Sequence, residues 1–313
     1  MPDHKSVDLF GEIPARRIPA KPFVKWAGGK GNLLQKLEAL LPAHFDELQN
    51  VTYIEPFVGG GAMLFHMLRH HKCIKRAVIN DINPDLIRCY QMIAKTPEVL
   101  IDHLSVIENN YYSVAFSARE ELYYAYRDQY NSEEIHPDER AALFIFLNRT
   151  CYNGLYRVSA TGKFNVPYGQ YKKPLICNNE LIMADHHLLS SVELTIRQPG
   201  DYKLVRKNLS KTHVNFVYLD PPYRPLSETS FKEYSNTPFE DRQQEELKLF
   251  CDKLSNLNCL IMQSNSDSKT ENGDSYFEAL YEEYDIQRVL AARFINADPE
   301  KRMKQTEVVI RNY

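Results

Sequence analysis

The sequence has no apolar run long enough to cross a membrane, no closely spaced cysteine pair and no excess of basic residues. Its longest apolar run, residues 141–147, falls well short of the roughly 18 residues that a membrane helix needs. The six cysteines are scattered and form no CxxC pair, which argues against a zinc ribbon or a disulfide framework. Residues 2–5 are charged where a signal peptide would become apolar. We therefore expect a cytoplasmic protein.

The net charge of −3 conceals an uneven distribution of charge along the chain. Residues 141–179 contain no Asp or Glu. The basic and aromatic residues in this window are Arg149, Arg157, Lys163, Lys172 and Lys173 with Tyr152, Tyr156, Phe164, Tyr168 and Tyr171. Basic side chains interleaved with aromatic ones neutralise phosphates and stack on bases. The window therefore indicates a nucleic-acid surface, and a solvated loop that lacks acids is an equally good explanation at this point.

Strand and helix patterns alternate along much of the chain. Strand patterns at 51–54 and 77–81 are each followed by a helical pattern, at 62–71 and 84–94, and this order is typical of a doubly wound α/β sheet. Further strands are predicted at 192–196, 214–219, 259–262, 286–291 and 308–310. Because the stretch between the two groups of strands is mainly helical, we predict one α/β domain at 21–95 and 188–313. A helical insertion at 96–187 interrupts it, and residues 1–20 form a tail.

A glycine-rich segment, Glu55-Pro56-Phe57-Val58-Gly59-Gly60-Gly61, lies where the first strand turns into a helix. Glycines in such a loop let a ligand approach the backbone amides closely. A dinucleotide fingerprint would need a glycine where Leu64 stands, which disfavours NAD and FAD. The segment instead resembles the cofactor loop of S-adenosylmethionine-dependent methyltransferases. Asp81, at the end of the next strand, is suited to accept both ribose hydroxyls of an adenosyl cofactor; a tight turn and a helix cap are the alternative explanations.

The most specific segment is Asp220-Pro221-Pro222-Tyr223, which follows an apolar strand pattern at 214–219. Neither proline has an N–H to continue a strand, so the chain leaves the sheet at its carboxyl edge, where α/β proteins bind ligands. This corner presents a carboxylate, a rigid carbonyl and an aromatic face together. An acidic turn with a packed tyrosine is the alternative.

These groups suit methylation of an exocyclic amino group. The lone pair of adenine N6 is delocalised into the ring, so the nitrogen is a poor nucleophile. If Asp220 and the Pro221 carbonyl each accept one N6 hydrogen, the nitrogen moves towards tetrahedral geometry and its lone pair is freed to attack a methyl group. Tyr223 would stack on the base. Positioning and preorganised acceptors supply the rate, without a metal or a covalent intermediate.

Together with Lys25-Trp26-Ala27-Gly28-Gly29-Lys30 and Gly200-Asp201-Tyr202, these segments resemble the Dam-type family of DNA adenine-N6 methyltransferases. The similarity is greatest to its restriction–modification members that methylate GATC, and it covers nearly the whole chain after about Lys21. It implies that the α/β domain at 21–95 and 188–313 is a catalytic methyltransferase domain with a Rossmann-like sheet. The insertion at 96–187 is then a mainly helical target-recognition domain that carries a β-hairpin. It also implies S-adenosylmethionine as cofactor and double-stranded DNA as substrate.

The resemblance assigns roles to individual residues. The catalytic residues it implies are Asp220, Pro221, Pro222 and Tyr223. The cofactor-binding residues are Trp26, Lys30, Glu55, Phe57, Gly59, Gly61, Asp81, Asp201 and Asp220. Trp26 is implied to pack near the cofactor and Lys30 to contact its carboxylate end.

Residues 148–157 and 164–169 resemble the family's recognition hairpin. The DNA-binding residues predicted here are Lys25, Arg149, Tyr152, Asn153, Leu155, Arg157, Pro167 and Lys172. The resemblance implies that Arg157, Leu155 and Pro167 meet base edges and that Lys25 reaches a guanine. Tyr152 and Asn153 are implied to press into the stack beside the displaced adenine, since extruding a base costs a few kcal/mol that inserted side chains offset.

Two other functions stay open. The target could be a different amino group, on RNA or at cytosine N4, although the acidic first residue of the Asp220–Tyr223 segment favours adenine. The chain could also be an inactive DNA-binding module of the same fold, against which the presence of Asp220, Lys30 and Asp81 argues. We expect no metal site, because adjacent histidine pairs lack a third ligand. We expect a monomer that pairs functionally with a restriction endonuclease.

Overall fold

The computed structural model describes residues 18–224, 239–270, 273–291 and 305–313. Most of the predicted tail at 1–20 lies outside these residues. None of the described helices is both long and apolar enough to span a membrane. The six cysteines are unpaired, and all except Cys177 are buried.

A seven-stranded sheet forms the centre of the described structure, with strand order β3-β2-β1-β4-β5-β7-β6. The strands are β1 (Val51–Glu55), β2 (Ile74–Ile79), β3 (Glu193–Ile196), β4 (Val214–Leu219), β5 (Leu260–Ser266), β6 (Asp285–Ala291) and β7 (Gln305–Arg311). Strands β1 to β5 run parallel, whereas β7 is antiparallel to both β5 and β6. All of β1 is buried, as are residues 215–219 of β4, as expected for central strands covered on both faces. The predicted doubly wound, Rossmann-like sheet is confirmed.

The strand order reverses between β1 and β4. From β1 the chain continues through helix α2 (Ala62–His70) to β2 on one side, and from β4 it continues through α8 (Asp241–Ser255) to β5 on the other. In open α/β sheets, ligands bind outside the carboxyl ends of the strands at such a switch point. The glycine loop follows β1 and Asp220 follows β4, so both predicted motifs lie at this one point of the sheet.

The carboxyl-terminal ends of two strands differ from the prediction by two residues or more. β2 ends at Ile79, so Asp81 lies in the turn after the strand and not at its last position. β5 extends to Ser266, beyond the predicted end at 262, so Ser264, Asn265 and Ser266 lie inside the strand. These three polar residues remain in the strand because it pairs with β7 along this length, an antiparallel partner far away in sequence.

The helical insertion lies between β2 and β3. Its helices are α4 (Pro97–Ser113), α5 (Arg119–Tyr130), α6 (Pro137–Thr150) and α7 (Asn179–Leu189), and they follow α3 (Pro84–Lys95). One continuous cluster of buried side chains includes Tyr90 of α3, Phe146 of α6 and Phe164 of the hairpin, so the insertion shares a core with the sheet domain. Helix α7 also crosses the predicted boundary at 187/188. The division into domains stays a prediction.

Asp185 of α7 fastens the insertion to the N-terminal segment, and it carries a prediction about pH. It is fully buried and accepts a hydrogen bond from the Lys21 amide (3.0 Å). Burial raises the pKa of its carboxyl to about 8. The unfolded carboxyl titrates near about 3.9, so between about pH 4 and pH 8 the folded chain binds more protons and stability falls as the pH rises.

Asp185→Asn should therefore flatten the pH dependence of the melting temperature between about pH 5 and pH 8. The substitution keeps the acceptor for Lys21 and removes the titration. Thermal unfolding of both proteins at the two pH values checks this expectation. An unchanged difference between the two pH values would contradict it.

Candidate active site

The residue that precedes the glycine loop, Glu55 at the end of β1, is a buried acid. Glu55 is 2% exposed and accepts a hydrogen bond from the Tyr53 hydroxyl (2.8 Å). Burial raises the pKa of Glu55 well above its ordinary value, which favours a neutral carboxyl. Glu55 is therefore enclosed at the end of β1, and its contact with a cofactor stays a prediction.

Two glycines of the loop adopt left-handed backbone conformations, Gly59 at φ 48° and Gly61 at φ 78°. A Cβ on Gly59 would lie 2.8 Å from Cδ1 of Trp26, so the indole packs directly on the loop where only glycine leaves room. The Tyr90 hydroxyl donates to the Gly59 carbonyl (3.0 Å). The loop is thus held by Trp26 and Tyr90, and the Val58 and Gly61 amides donate to backbone carbonyls within the protein.

Asp81 joins the loop to the turn after β2. Its Oδ2 accepts from the Gly59 amide (3.0 Å) and its Oδ1 from the Asn83 amide (2.9 Å). Burial raises the pKa of the Asp81 carboxyl, and these two amide hydrogen bonds oppose that rise. The next residue, Ile82, is 72% exposed. A carboxylate acceptor therefore stands beside an open apolar surface.

A third segment, residues 200–202, completes this half of the site. The Asn80 side-chain amide donates to the carbonyls of Pro56 (3.1 Å) and Gly200 (2.9 Å), so one buried side chain links the glycine loop to this segment. The Phe57 ring stacks on Tyr202, with centroids 5.1 Å apart. Asp201 is exposed and its Oδ1 accepts from the Lys203 amide (2.7 Å). A cofactor contact by Asp201 stays a prediction.

These residues fit an adenosyl cofactor. Asn80 Oδ1 is buried and has no hydrogen-bond partner among the described residues. It neighbours Asp81 in sequence, and Ile82 exposes an apolar side chain next to that carboxylate. An unused acceptor, a carboxylate and an apolar surface together match the hydroxyls and ring of a nucleoside. Trp26, Phe57 and the glycine loop border the same end of β1.

The corner after β4 centres on Asp220. The Lys30 ammonium lies 2.9 Å from Asp220 Oδ1, and the Ser264 hydroxyl donates to the same oxygen (2.9 Å). Lys30 is only 5% exposed and also donates to the Gly28 carbonyl (2.7 Å). Among the described residues no donor reaches Asp220 Oδ2 or the Pro221 carbonyl. The corner therefore offers two unused acceptors next to a charge-balanced carboxylate.

The Tyr223 side chain has two contacts with charged residues, one at its hydroxyl and one at its ring face. Its hydroxyl donates to Glu307 Oε2 of β7 (2.6 Å). The Lys30 ammonium lies 4.5 Å from the centre of its ring. Burial raises the pKa of Tyr223 well above its usual value, so the phenol stays protonated and keeps this donor. Glu307 at the hydroxyl and Lys30 at the ring face together set the orientation of the ring.

Buried amides brace the backbone of the corner. Gln244 Nε2 donates to the Pro222 carbonyl (3.3 Å) and Asn265 Oδ1 accepts from the Arg224 amide (3.1 Å). Gln244 and Asn265 are both fully buried and hydrogen-bond to each other (3.2 Å). The Arg224 guanidinium pairs with Asp241 through two hydrogen bonds (2.6 and 3.1 Å). Residues 222–224 are therefore tied to α8 and β5.

The N-terminal segment brings the two halves of the site together. Trp26 packs on the glycine loop, and four residues later Lys30 pairs with Asp220. The resemblance implies that Lys30 contacts the carboxylate of the cofactor, whereas in the structure its ammonium pairs with Asp220. The cofactor contact of Lys30 stays a prediction.

The recognition residues lie on a short hairpin after α6. Antiparallel bridges Cys151–Tyr168 and Val158–Phe164 hold it, in place of continuous strands. Tyr152 is 54% exposed, and Asn153 follows at φ 54° in a left-handed conformation. The predicted residues Arg157, Pro167 and Lys172 are also exposed, whereas Leu155 is partly buried.

Arg157 is held in place across the hairpin. Its Nε donates to Asn165 Oδ1 (2.8 Å) and its Nη2 to the Asn165 carbonyl (3.2 Å). The guanidinium is therefore oriented while the remaining N–H groups are free to meet an acceptor. Lys25 lies on the neighbouring N-terminal segment, is exposed, and its ammonium lies 4.8 Å from the Tyr171 ring centre.

Arg149 occupies a different environment from the other predicted DNA contacts. Its guanidinium is partly buried, and Nη2 donates to the Phe23 carbonyl (2.5 Å). Burial lowers the pKa of Arg149. In this position the side chain joins α6 to the N-terminal segment, and its contact with DNA stays a prediction.

Several residues of the site carried no recognisable signal. Glu307 and Gln244 are single polar residues in ordinary amphipathic patterns, and only the sheet topology brings them to the corner. Tyr156 stacks on Trp26 with ring centroids 5.6 Å apart. Ser264 lies beyond the predicted end of its strand at 262, and its hydroxyl donates to Asp220 Oδ1.

Comparisons with known proteins agree with this geometry. Residues 26–295 match the family model described as D12 class N6 adenine-specific DNA methyltransferase. The chain is 42% identical over 300 residues to the Type II methyltransferase M.MjaIII of Methanocaldococcus jannaschii, covering 95% of this chain and 100% of that one. It is 35% identical to the Type II methyltransferase M1.LlaDCHI of Lactococcus lactis (96% and 98% covered) and 33% identical to the DNA adenine methylase of Escherichia coli K12 (79% and 81% covered).

Proposed function

The chain belongs to the D12 class of N6 adenine-specific DNA methyltransferases, and from this premise we propose that it methylates adenine N6 in GATC of double-stranded DNA after flipping the base. Membership of this family implies S-adenosylmethionine as cofactor and DNA as substrate. The GATC site follows from the resemblance to Dam-type enzymes. We also propose that the enzyme acts as a monomer beside a restriction endonuclease, in keeping with relatives named Type II methyltransferases.

The arrangement at Asp220 carries the proposal. Lys30 and Ser264 both occupy Oδ1 (each at 2.9 Å), which leaves Oδ2 to accept one hydrogen of the target amino group. The Pro221 carbonyl accepts the other. Lys30 balances the negative charge, so the carboxylate stays an acceptor in a partly enclosed corner. Two fixed acceptors reorganise little during the reaction, which is the main electrostatic contribution to such a rate.

The remaining residues hold the reactants. S-adenosylmethionine, when bound, supplies a methyl group activated by the positive charge on sulfur. Asp81 and Asn80 would hold its nucleoside, and Trp26 with the glycine loop would enclose it. Tyr223, fixed by Glu307, would stack on the extruded adenine and hold N6 in line with the methyl group.

Unmethylated plasmid tests this function. Incubation with protein and cofactor should make GATC sites resistant to a nuclease blocked by adenine methylation and sensitive to one that requires it. Transfer of label to DNA without this change would contradict the GATC site, and analysis of the labelled base would separate adenine N6 from cytosine N4. Absence of any transfer to DNA or RNA, with DNA binding intact, would instead identify an inactive binding module.

Two basic residues should have different effects on recognition. Arg157→Ala should lower discrimination at one base pair by about 1–3 kcal/mol, because a bidentate arginine–guanine contact is lost. Lys172→Ala should weaken binding to all sequences alike and reduce the salt dependence by at most about one phosphate's worth. Binding to cognate and single-substituted duplexes at two salt concentrations measures both effects. Equal losses for the two variants on cognate and random DNA would contradict this division.

A further inference from the structure

The backbone of Lys25 is hydrogen-bonded by a side chain of helix α6, which is far from it in sequence. Asn148, near the end of α6, accepts from the Lys25 amide (2.8 Å) and donates to the Lys25 carbonyl (2.8 Å). The same Nδ2 donates to the Gly154 carbonyl (3.0 Å). Asn148 is 3% exposed. One buried side-chain amide thus satisfies both backbone groups of Lys25, as a neighbouring strand would. It also connects Lys25 to Gly154 in the turn of the recognition hairpin.

The side chain of Lys25 is guided by the same turn. Gly154 has φ 65°, and a Cβ there would lie 2.5 Å from Lys25 Cδ and 2.9 Å from its Cβ. The stem of Lys25 therefore packs on the bare glycine, and its ammonium lies over the Tyr171 ring. Backbone, stem and head of Lys25 all depend on residues 148–171, although Lys25 belongs to the N-terminal segment in sequence.

We propose that Asn148 is a positioning residue for DNA recognition, acting through Lys25. It makes Lys25 part of the recognition hairpin, so that the ammonium meets its base at a fixed distance from Tyr152, Asn153 and Arg157. The proposal rests on the proposed function and on the contact between Lys25 and a guanine that the family resemblance implies. The residue after Lys25 is Trp26, which packs on the glycine loop, so the same clamp fixes the hairpin relative to the cofactor loop.

Asn131 is a matched control for Asn148. Its side chain makes the same kind of backbone clamp, accepting from the Phe164 amide (2.8 Å) and donating to the Phe164 carbonyl (3.0 Å). It has no contact with Lys25 among the described interactions. Loss of these two backbone hydrogen bonds costs stability in both cases, whereas only Asn148 is expected to act on the base pair that Lys25 contacts.

The test measures dissociation constants for a GATC duplex and for duplexes with one base pair changed at each position. Lys25→Ala should lower discrimination at one base pair by about 5- to 150-fold. Asn148→Ala should lower it at that same base pair by at least about fivefold and leave the others within about twofold. Adding Asn148→Ala to Lys25→Ala should change the discrimination at this base pair by no more than about twofold, because both substitutions remove the same contact. Asn131→Ala should not affect that base pair.

Several outcomes would overturn the inference. One is an equal loss of affinity at every base pair in Asn148→Ala. Another is a loss of discrimination in the double variant that equals the product of the two single losses. The third is unchanged discrimination in a folded Asn148→Ala protein. If Asn148→Ala does not fold, Gly154→Ala tests the same contact, since its added Cβ displaces the Lys25 stem, and it must weaken the same base pair. If Lys25→Ala changes no base pair, the contact is wrong and the inference with it. Because binding is measured, a failure of methylation affects only the proposed function.

Discussion

Replacing Asp220 by asparagine is expected to lower the rate of methyl transfer at least about 100-fold while DNA and cofactor still bind. Lys30 and Ser264 both donate to Oδ1, so the amide oxygen of asparagine must take that position. Its NH2 group then stands where Oδ2 stood and faces the target amino group. An acceptor has become a donor with almost no change in shape, and the adenine lone pair stays delocalised.

Single-turnover transfer of a labelled methyl group measures this effect, with cofactor and DNA affinities determined separately. Asp252→Asn is a suitable control, because Asp252 also pairs with a lysine (Lys248, 2.7 Å) but lies on α8 away from the corner. It should leave the rate within about threefold. A rate for Asp220→Asn within that same range would show that Asp220 is not the acceptor.

Replacing Asp81 by alanine is expected to raise the dissociation constant for S-adenosylmethionine by at least about 100-fold. Two hydrogen bonds from ribose hydroxyls to a carboxylate are lost, each worth roughly 1.5–3 kcal/mol. The amides of Gly59 and Asn83 lose their acceptor as well, so the glycine loop is less well held. Both effects act in the same direction.

Calorimetric titration with the cofactor measures this change. Asp201→Ala provides the comparison, since Asp201 is also a turn aspartate that accepts a backbone amide but is exposed. We expect it to weaken binding much less. Similar affinities for the Asp81→Ala and unmodified proteins would contradict the assignment of Asp81 to the ribose.

The parts of the fold that are encoded locally could be predicted from the sequence. Strands β1 and β4 are short apolar runs that end just before a proline, Pro56 and Pro221 respectively. The alternation of strand and helix patterns predicted a doubly wound sheet. The boundaries of β2 and β5 were wrong because local patterns do not reveal a partner strand: Ser264–Ser266 look like a polar turn, and only pairing with β7 makes them a strand.

The site divides in the same way. Contiguous motifs predicted the glycine loop, Asp81 and Asp220–Tyr223 as parts of a site, because each motif carries its chemistry on neighbouring residues. Contacts between residues that are far apart in sequence could not be predicted. Nothing in the sequence indicates that Glu307 holds Tyr223, and the resemblance suggested the cofactor as the partner of Lys30, whereas the structure places its ammonium on Asp220. Likewise Arg149 looked like a DNA contact in a basic window, and its hydrogen bond to Phe23 follows from how α6 packs.

The central claim is that the two free acceptors of the corner bind the hydrogens of the target amino group. A crystal structure of the protein with sinefungin and a GATC duplex tests it most directly. We expect the adenine to be extruded, with N6 at about 2.7–3.2 Å from both Asp220 Oδ2 and the Pro221 carbonyl oxygen. An adenine that remains stacked in the duplex, or an N6 out of hydrogen-bond reach of both oxygens, would contradict the claim.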